Sequence, residues 1–289
     1  MFKFKIEQKV FDIAGIKIGG QPGQHRTVMI GSIFYHKDRI IKNEKTGKFD
    51  KEKAEELLRM EEEISEKTGN PRIVDVCCSE PQTFDKFIDF VAKTINGPFA
   101  IDGATSEVRT FGAKYIAEVG LSERVVYNSI MPETTEAEIS AIRDAKIKSA
   151  IFLALNFRNP TIGGRMDVID GLIGKANMAG IKNILIDATV MDVLDPGPVA
   201  KTVYFIKEKY GLPTGCSAYN AVHMWRKRQR LSPETHPAVN VVANLLPMTM
   251  GANFTMYGPI DGASELYVPC AFLDACIAYT MRQKRVLDS

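Results

Sequence analysis

Short, nearly continuous apolar runs recur along this chain with longer amphipathic stretches between them, and that alternation narrows its possible folds more than any other feature. Eight runs can be read, at 27–34, 72–78, 98–102, 124–129, 149–156, 183–188, 212–217 and 253–257. Most carry Val, Ile, Leu or Phe on consecutive positions, the pattern of strands covered on both faces in a parallel sheet. Between them, the stretches 51–68, 81–95, 106–119, 135–145, 164–179 and 198–210 have lengths suited to crossover helices. The segment 218–250 exceeds one crossover and is expected to hold two helices broken near 231–233, and a last helix is expected over 263–285.

This order of elements predicts an α/β fold, an eight-stranded β/α (TIM) barrel. A hairpin from 2–6 and 10–18 precedes the first run and could cap the barrel's lower end. A doubly wound open sheet is the alternative. It would want a glycine-rich turn after its first strand, whereas Gly19, Gly20 and Gly23 come before it. At 289 residues and 45% hydrophobic composition the chain can bury a large core, and no repeat or linker divides it. One domain over 1–289 is expected.

Several functional classes fall away on composition. With 37 Lys and Arg against 35 Asp and Glu, the net charge of +2 is too balanced for a protein that binds by neutralising phosphates, so nucleic acid is not expected as a partner. The first ten residues alternate apolar with Lys and Glu and cannot form the apolar core of a secretory signal. No segment approaches the roughly 20 apolar residues of a membrane span. Five cysteines, Cys77, Cys78, Cys216, Cys270 and Cys276, sit mostly in apolar runs and read as reduced thiols of a cytoplasmic protein.

In a barrel of this kind, chemistry gathers where strands end at their carboxyl termini. The third run ends in Asp102, the fourth in Asn128, the fifth in Asn156 and the sixth in Asp187; the seventh gives Ser217, with Asn220 just beyond. Any one of these could simply cap a helix or turn a loop. A carboxylate ending an apolar strand, however, is desolvated unless a donor meets it, and here that happens at both Asp102 and Asp187. A planar ligand with adjacent N–H groups, such as the amino-pyrimidinone edge of a reduced pterin, would supply donors to two carboxylates and both donors and acceptors to a carboxamide. A metal-dependent hydrolase is the enzymatic rival, since His36, Asp75, Cys77, Cys78 and Cys216 lie in or near strands. The chain lacks a His-x-His after the first run and a Cys-x-x-Cys, the usual zinc spacings, so no tightly bound metal is expected.

Particular segments carry a family resemblance. FKF from Phe2, KIGGQPG from Lys17, TVMIGSIFYH from Thr27, KTGNP from Lys67, AKYIAEVGL from Ala113, YNSI from Tyr127 and YGPI from Tyr257 resemble the H subunit of tetrahydromethanopterin S-methyltransferase. That family is similar in fold to pterin-binding methyltransferases and more remotely to dihydropteroate synthase. The resemblance implies that Asp102, Asn128 and Asp187 hold the pterin and that Asn220 is the catalytic residue near its N5; Asn156 and Ser217, from their places at strand ends, are further candidates for contacts around the ring. Within the family, the nearest resemblance is to members in bacterial glycine betaine metabolism that transfer methyl from methylcobalamin to tetrahydrofolate. The expected co-substrates are therefore tetrahydrofolate and methylcobalamin, with a separate corrinoid protein as the other possible donor. The chain has no Asp-x-His-x-x-Gly pattern for ligating cobalt, so corrinoid is expected as substrate, not resident cofactor. The resemblance also implies a homodimer. Two alternatives stay open: dependence on tetrahydromethanopterin, and a non-catalytic role inside a larger methyltransferase complex.

Overall fold

The computed structural model describes residues 2–192, 194–230 and 232–287, with the side chains of 220, 223 and 284–287 outside that description. Eight strands form a closed barrel: β1 (Val28–Ile33), β2 (Arg72–Cys78), β3 (Phe99–Gly103), β4 (Val125–Ile130), β5 (Ser149–Leu153), β6 (Asn183–Asp187), β7 (Thr214–Ser217) and β8 (Phe254–Pro259). All neighbouring pairs are parallel, and β8 closes on β1. The β/α barrel read from the sequence is the observed fold.

Helices follow the strands: α1 (Lys51–Thr68), α2 (Pro81–Thr94), α3 (Ser106–Val119), α4 (Glu136–Asp144), α5 (Ile162–Asp167), α6 (Ile169–Ala179), α7 (Pro196–Tyr210), α8 (Tyr219–Arg228), α9 (His236–Thr249) and α10 (Ala263–Leu287). Their ends follow side-chain chemistry. Asp50 and Thr105 accept backbone N–H bonds at the starts of α1 and α3, and Gly69 and Gly120 end those helices in the left-handed conformation. The break expected between two helices in 218–250 separates α8 from α9. The stretch expected as one helix over 164–179 is instead α5 and α6, which meet at Val168.

The N-terminal hairpin also differs from the expected ranges. It pairs Val10–Ile13 with Ile16–Gly19, because Ala14 and Gly15 both take positive φ (47° and 91°), as a two-residue hairpin turn requires. Residues 2–6 form no strand; Phe4 is buried there, its backbone N–H and C=O both bonded to the Gln21 side chain. The hairpin's Ile13 and Ile18 join Val28, Ile30, Ile73, Ala100, Val126, Ile151, Leu185 and Phe254 in one buried cluster. These barrel residues are the inward-facing positions near the strands' amino ends, so the hairpin plugs that end. Truncating Ile18 to Ala would cost about 2–5 kcal/mol. A second short hairpin, Ile41–Asn43 with Lys48–Phe49, lies in the connection after β1 and was not legible in the sequence. Among the described residues, no helix is long and apolar enough to cross a membrane.

Candidate functional site

Side chains alternate along a strand, so the parity of the buried inner cluster fixes which later residues face the barrel axis. Two residues beyond Ile30 is Ser32; beyond Ile73 are Asp75 and Cys77; beyond Ala100 is Asp102; beyond Val126 is Asn128; beyond Leu185 is Asp187. Each therefore shares the inward parity of its strand. An apolar floor, sealed from below by the hairpin, thus carries a polar layer at the carboxyl ends of β1, β2, β3, β4 and β6.

Neighbouring members of that layer are directly joined. Ser32 Oγ donates to Asp75 Oδ2 at 2.9 Å, and Asn128 Nδ2 donates to Asp75 Oδ1 at 3.1 Å. The Cys77 thiol lies 3.6 Å from Asp75 Oδ2 and 3.8 Å from Asp102 Oδ2. Register supports this grouping, because Cys77 pairs with Asp102, and Asp102 with Asn128. Ser32, Asp75, Cys77 and Asp102 line a cavity of about 320 Å³. Ser217, Met256 and the aromatic Tyr35 and Tyr219 line it as well. Gly258 lets Tyr219 approach: its φ is +92°, and a Cβ there would lie 2.5 Å from the Tyr219 ring.

Burial dominates the electrostatics. Asp102 is pushed up to about 8, first by desolvation and then by the Asp75 carboxylate, against the opposing charge of Arg109. Asp75 is raised by burial, which its bonds from Asn128, Ser32 and Cys77 partly offset. Burial, then the two carboxylates, drive the Cys77 thiol far up. Burial thus favours the protonated form of each of the three groups.

The same atoms bear on the metal reading, since donor atoms of Asp75, Cys77 and Asp102 lie within 4.8 Å of one another. A thiol ligates as thiolate, and at Cys77 burial and the two neighbouring carboxylates raise the cost of losing that proton, a cost that a bound cation's own charge would offset. The other residues of that reading are elsewhere. His36 is exposed and pairs with Glu44, and Cys78 bonds the α2 start through Glu80 O and Thr83.

Asp187 belongs to the inward layer but stands three strands from Asp102 in the barrel order, in register with Leu153 and Gly215. Its carboxylate is bonded within its own connection, to the Thr189 N–H at 2.7 Å, and it does not line the 320 Å³ cavity. Burial raises it to about 6, while that Thr189 bond and the charge of Arg165 pull it down. Ser217 lines the cavity. Asn156 is engaged within its own loop, donating to Gly164 O at 3.1 Å and accepting from the Arg158 and Asn159 N–H groups. Asn220 sits in the first turn of α8, and its side chain lies outside the described residues. Sequence reasoning passed over Asp75 and Ser32 as ligand contacts. A carboxylate in the middle of the apolar run 72–78 was the available signal.

Residues 6–287 match the family described as tetrahydromethanopterin S-methyltransferase MtrH subunit. The chain is 39% identical over 290 aligned positions to the H subunit of tetrahydromethanopterin S-methyltransferase from Methanothermobacter thermautotrophicus, covering 96% of this chain and 94% of that protein. It is 34% identical to the protein of the same name from Methanopyrus kandleri, covering 94% and 91%. Among solved structures, Xanthomonas albilineans dihydropteroate synthase with 4-aminobenzoic acid superposes with a TM-score of 0.64 at 16% identity, covering 96% of this chain and 98% of that one. At that identity the likeness speaks to the fold alone.

Proposed function

The chain belongs to the tetrahydromethanopterin S-methyltransferase MtrH subunit family, and from that premise we propose that it moves a methyl group between a methylcorrinoid and N5 of a reduced pterin bound at the barrel mouth. The observation that carries this reading is the inward polar layer of Asp75, Asp102, Asn128 and Asp187 above an apolar floor. It offers carboxylates and a carboxamide to a flat, donor-bearing ring edge.

The pterin is tetrahydromethanopterin in this reading. The expectation of tetrahydrofolate rested on no residue, and the relatives' names support the other pterin. In methylation of the pterin, N5 forms the new bond to the methyl carbon while the carbon–cobalt bond breaks and cobalt keeps the electron pair; the N5 proton leaves to water. The protein's contribution is placement. Asp102, Asn128 and Asp187 fix the ring plane, Ser217 adds a contact, and Asn220, at the start of α8 beside the mouth, adapts its hydrogen bond to the changing charge on N5. Corrinoid is a substrate, delivered free as methylcobalamin or on a separate corrinoid protein, in keeping with relatives that are named as subunits. A homodimer belongs to the same reading: Val242 and Leu246 on α9 and Val268 and Phe272 on α10 are exposed apolar residues that a second copy would cover.

Titration calorimetry of the isolated chain with tetrahydromethanopterin and tetrahydrofolate, beside a methylcobalamin transfer assay, tests the reading. Asp102→Ala and Asp187→Ala should each weaken pterin binding at least tenfold, and Asn220→Ala should mainly slow transfer (roughly 1.4 kcal/mol per tenfold). Native affinity in both Asp variants would overturn the assignment, and tighter binding of tetrahydrofolate would reverse the choice of pterin. An isolated chain that binds pterin without turning over would assign it a non-catalytic role in a complex.

A further inference from the structure

Asp187 is served by a buried cation that no reading of the sequence picked out. Arg165, on α5, is 0% exposed, and its guanidinium spans two loops. Nη1 donates to Pro160 O at 2.7 Å in the connection after β5. Nε donates to Thr189 O at 3.2 Å, and Nη2 to Asp195 Oδ2 at 2.5 Å, both in the connection after β6. Thr189 is also the residue whose N–H holds Asp187 Oδ1, and its φ of +52° is one that a β-branched residue rarely adopts. Arg165 therefore grips the carbonyl of the residue whose amide aims the carboxylate. Gly164 makes room for this grip, since a Cβ there would lie 1.9 Å from Asn159 O.

We propose that Arg165 is a positioning residue of the pterin site, which aims Asp187 through Thr189 and, by its charge, favours the anionic carboxylate that a donor-bearing ring edge needs. The proposal rests on the reading that Asp187 receives the pterin. Its electrostatic half follows from the groups around Asp187. Arg165 faces it from α5; Cys216 on β7 is a neutral thiol driven far up by burial and by Asp187. On the flanking strands its register partners are the uncharged Leu153 and Gly215. Asp195 and Asp192 follow in its own loop, and Asp195 neutralises part of the Arg165 charge. Arg165 and Asp195 thus form one mechanical clip in which only the Arg165 charge pulls Asp187 down, and removing the Asp195 charge would leave that pull less compensated, so the two substitutions should have opposite signs. A fixed, planar fork serves three acceptors from three separate nitrogens, whereas a lysine would keep the charge but bring all its donors from one atom.

Those opposite signs separate a positioning role from a merely structural one. The measurement is a carbon-13 NMR titration of aspartate carboxyls in the pterin-free chain, with the Asp187 signal identified by its loss in Asp187→Asn. The native midpoint should lie near pH 6. Arg165→Met should move it up by about one pH unit and Asp195→Asn should move it down, with Arg165→Lys close to native. Pterin affinity should follow: Arg165→Met should bind roughly fivefold more weakly at pH 6 and recover most of that loss by pH 8. A clip without an electrostatic role would move both variants in the same direction or leave the midpoint unchanged, and either result overturns the proposal. Should Arg165→Met fail to fold, Asp195→Asn alone decides the matter by the sign of its shift. Unchanged pterin affinity in Asp187→Asn would instead remove the pterin reading, leaving the titration result to stand by itself.

Discussion

Replacing Asp102 by Asn should make the empty protein more stable while damaging its site. In the folded chain the carboxyl titrates near 8, against an ordinary value of 3.8, because it is buried beside Asp75. Below about pH 4 it is protonated whether folded or not, and contributes no difference. Between that pH and 8 the folded state holds a proton that the unfolded state has released, so stability falls as pH rises, by ~1.4 kcal/mol per pH unit. At pH 7 the accumulated penalty has a ceiling of roughly 4 kcal/mol. An asparagine pays none of it and keeps a carbonyl oxygen that can accept from the Cys77 thiol, but it forgoes the Arg109 attraction of the ionised fraction and must house two N–H donors, so a net gain of about 1–3 kcal/mol is expected. For a chain of this size that corresponds to a melting temperature higher by roughly 2–6 °C. Urea unfolding of both proteins at pH 5 and pH 7.5 measures it, and the Asn variant's advantage should be larger at the higher pH. An advantage that stays constant across that range, or a variant less stable at pH 7.5, would rule out a buried carboxyl that keeps its proton on folding.

The same chemistry extends to binding. If the pterin edge needs ionised Asp102, binding releases a proton between pH 6 and 8 and affinity rises with pH across that window, which calorimetry in buffers of different ionisation enthalpy reads directly. Gly258→Ala forces a Cβ against the Tyr219 ring at a φ of +92°; thermal melts should show about 1–3 kcal/mol lost, with weaker pterin binding as that ring shifts. Glu138→Ala removes the partner of Arg109 at 2.7 Å and of the Tyr127 hydroxyl at 2.6 Å, leaving a buried guanidinium without its carboxylate, so urea unfolding should show a loss of about 3–5 kcal/mol.

The fold and the site were not equally legible. Strands such as Val125–Ile130 and Asn183–Asp187 announce themselves by consecutive β-branched and aliphatic residues, and Asp102 and Asp187 stand out because they end such runs. Asp75 was harder to see, since nothing local marks a mid-strand carboxylate as facing the axis instead of the helices; only the barrel's closure fixes that parity. Asn156 looked equivalent to Asn128 in sequence, yet one caps its own loop while the other reaches Asp75 on a strand two places away. Arg165 carries no sequence signal at all, because its role arises from contact between two connections, with Thr189 lying 24 residues along the chain.

Whether a reduced pterin lies in the mouth of this barrel is answered by a crystal structure of the chain grown with tetrahydromethanopterin. The ring edge should then stand within hydrogen-bond distance of Asp102, Asn128 and Asp187, above the floor of Ile30, Ala100 and Leu185. A pterin bound elsewhere, with those three side chains untouched, would contradict the proposed site.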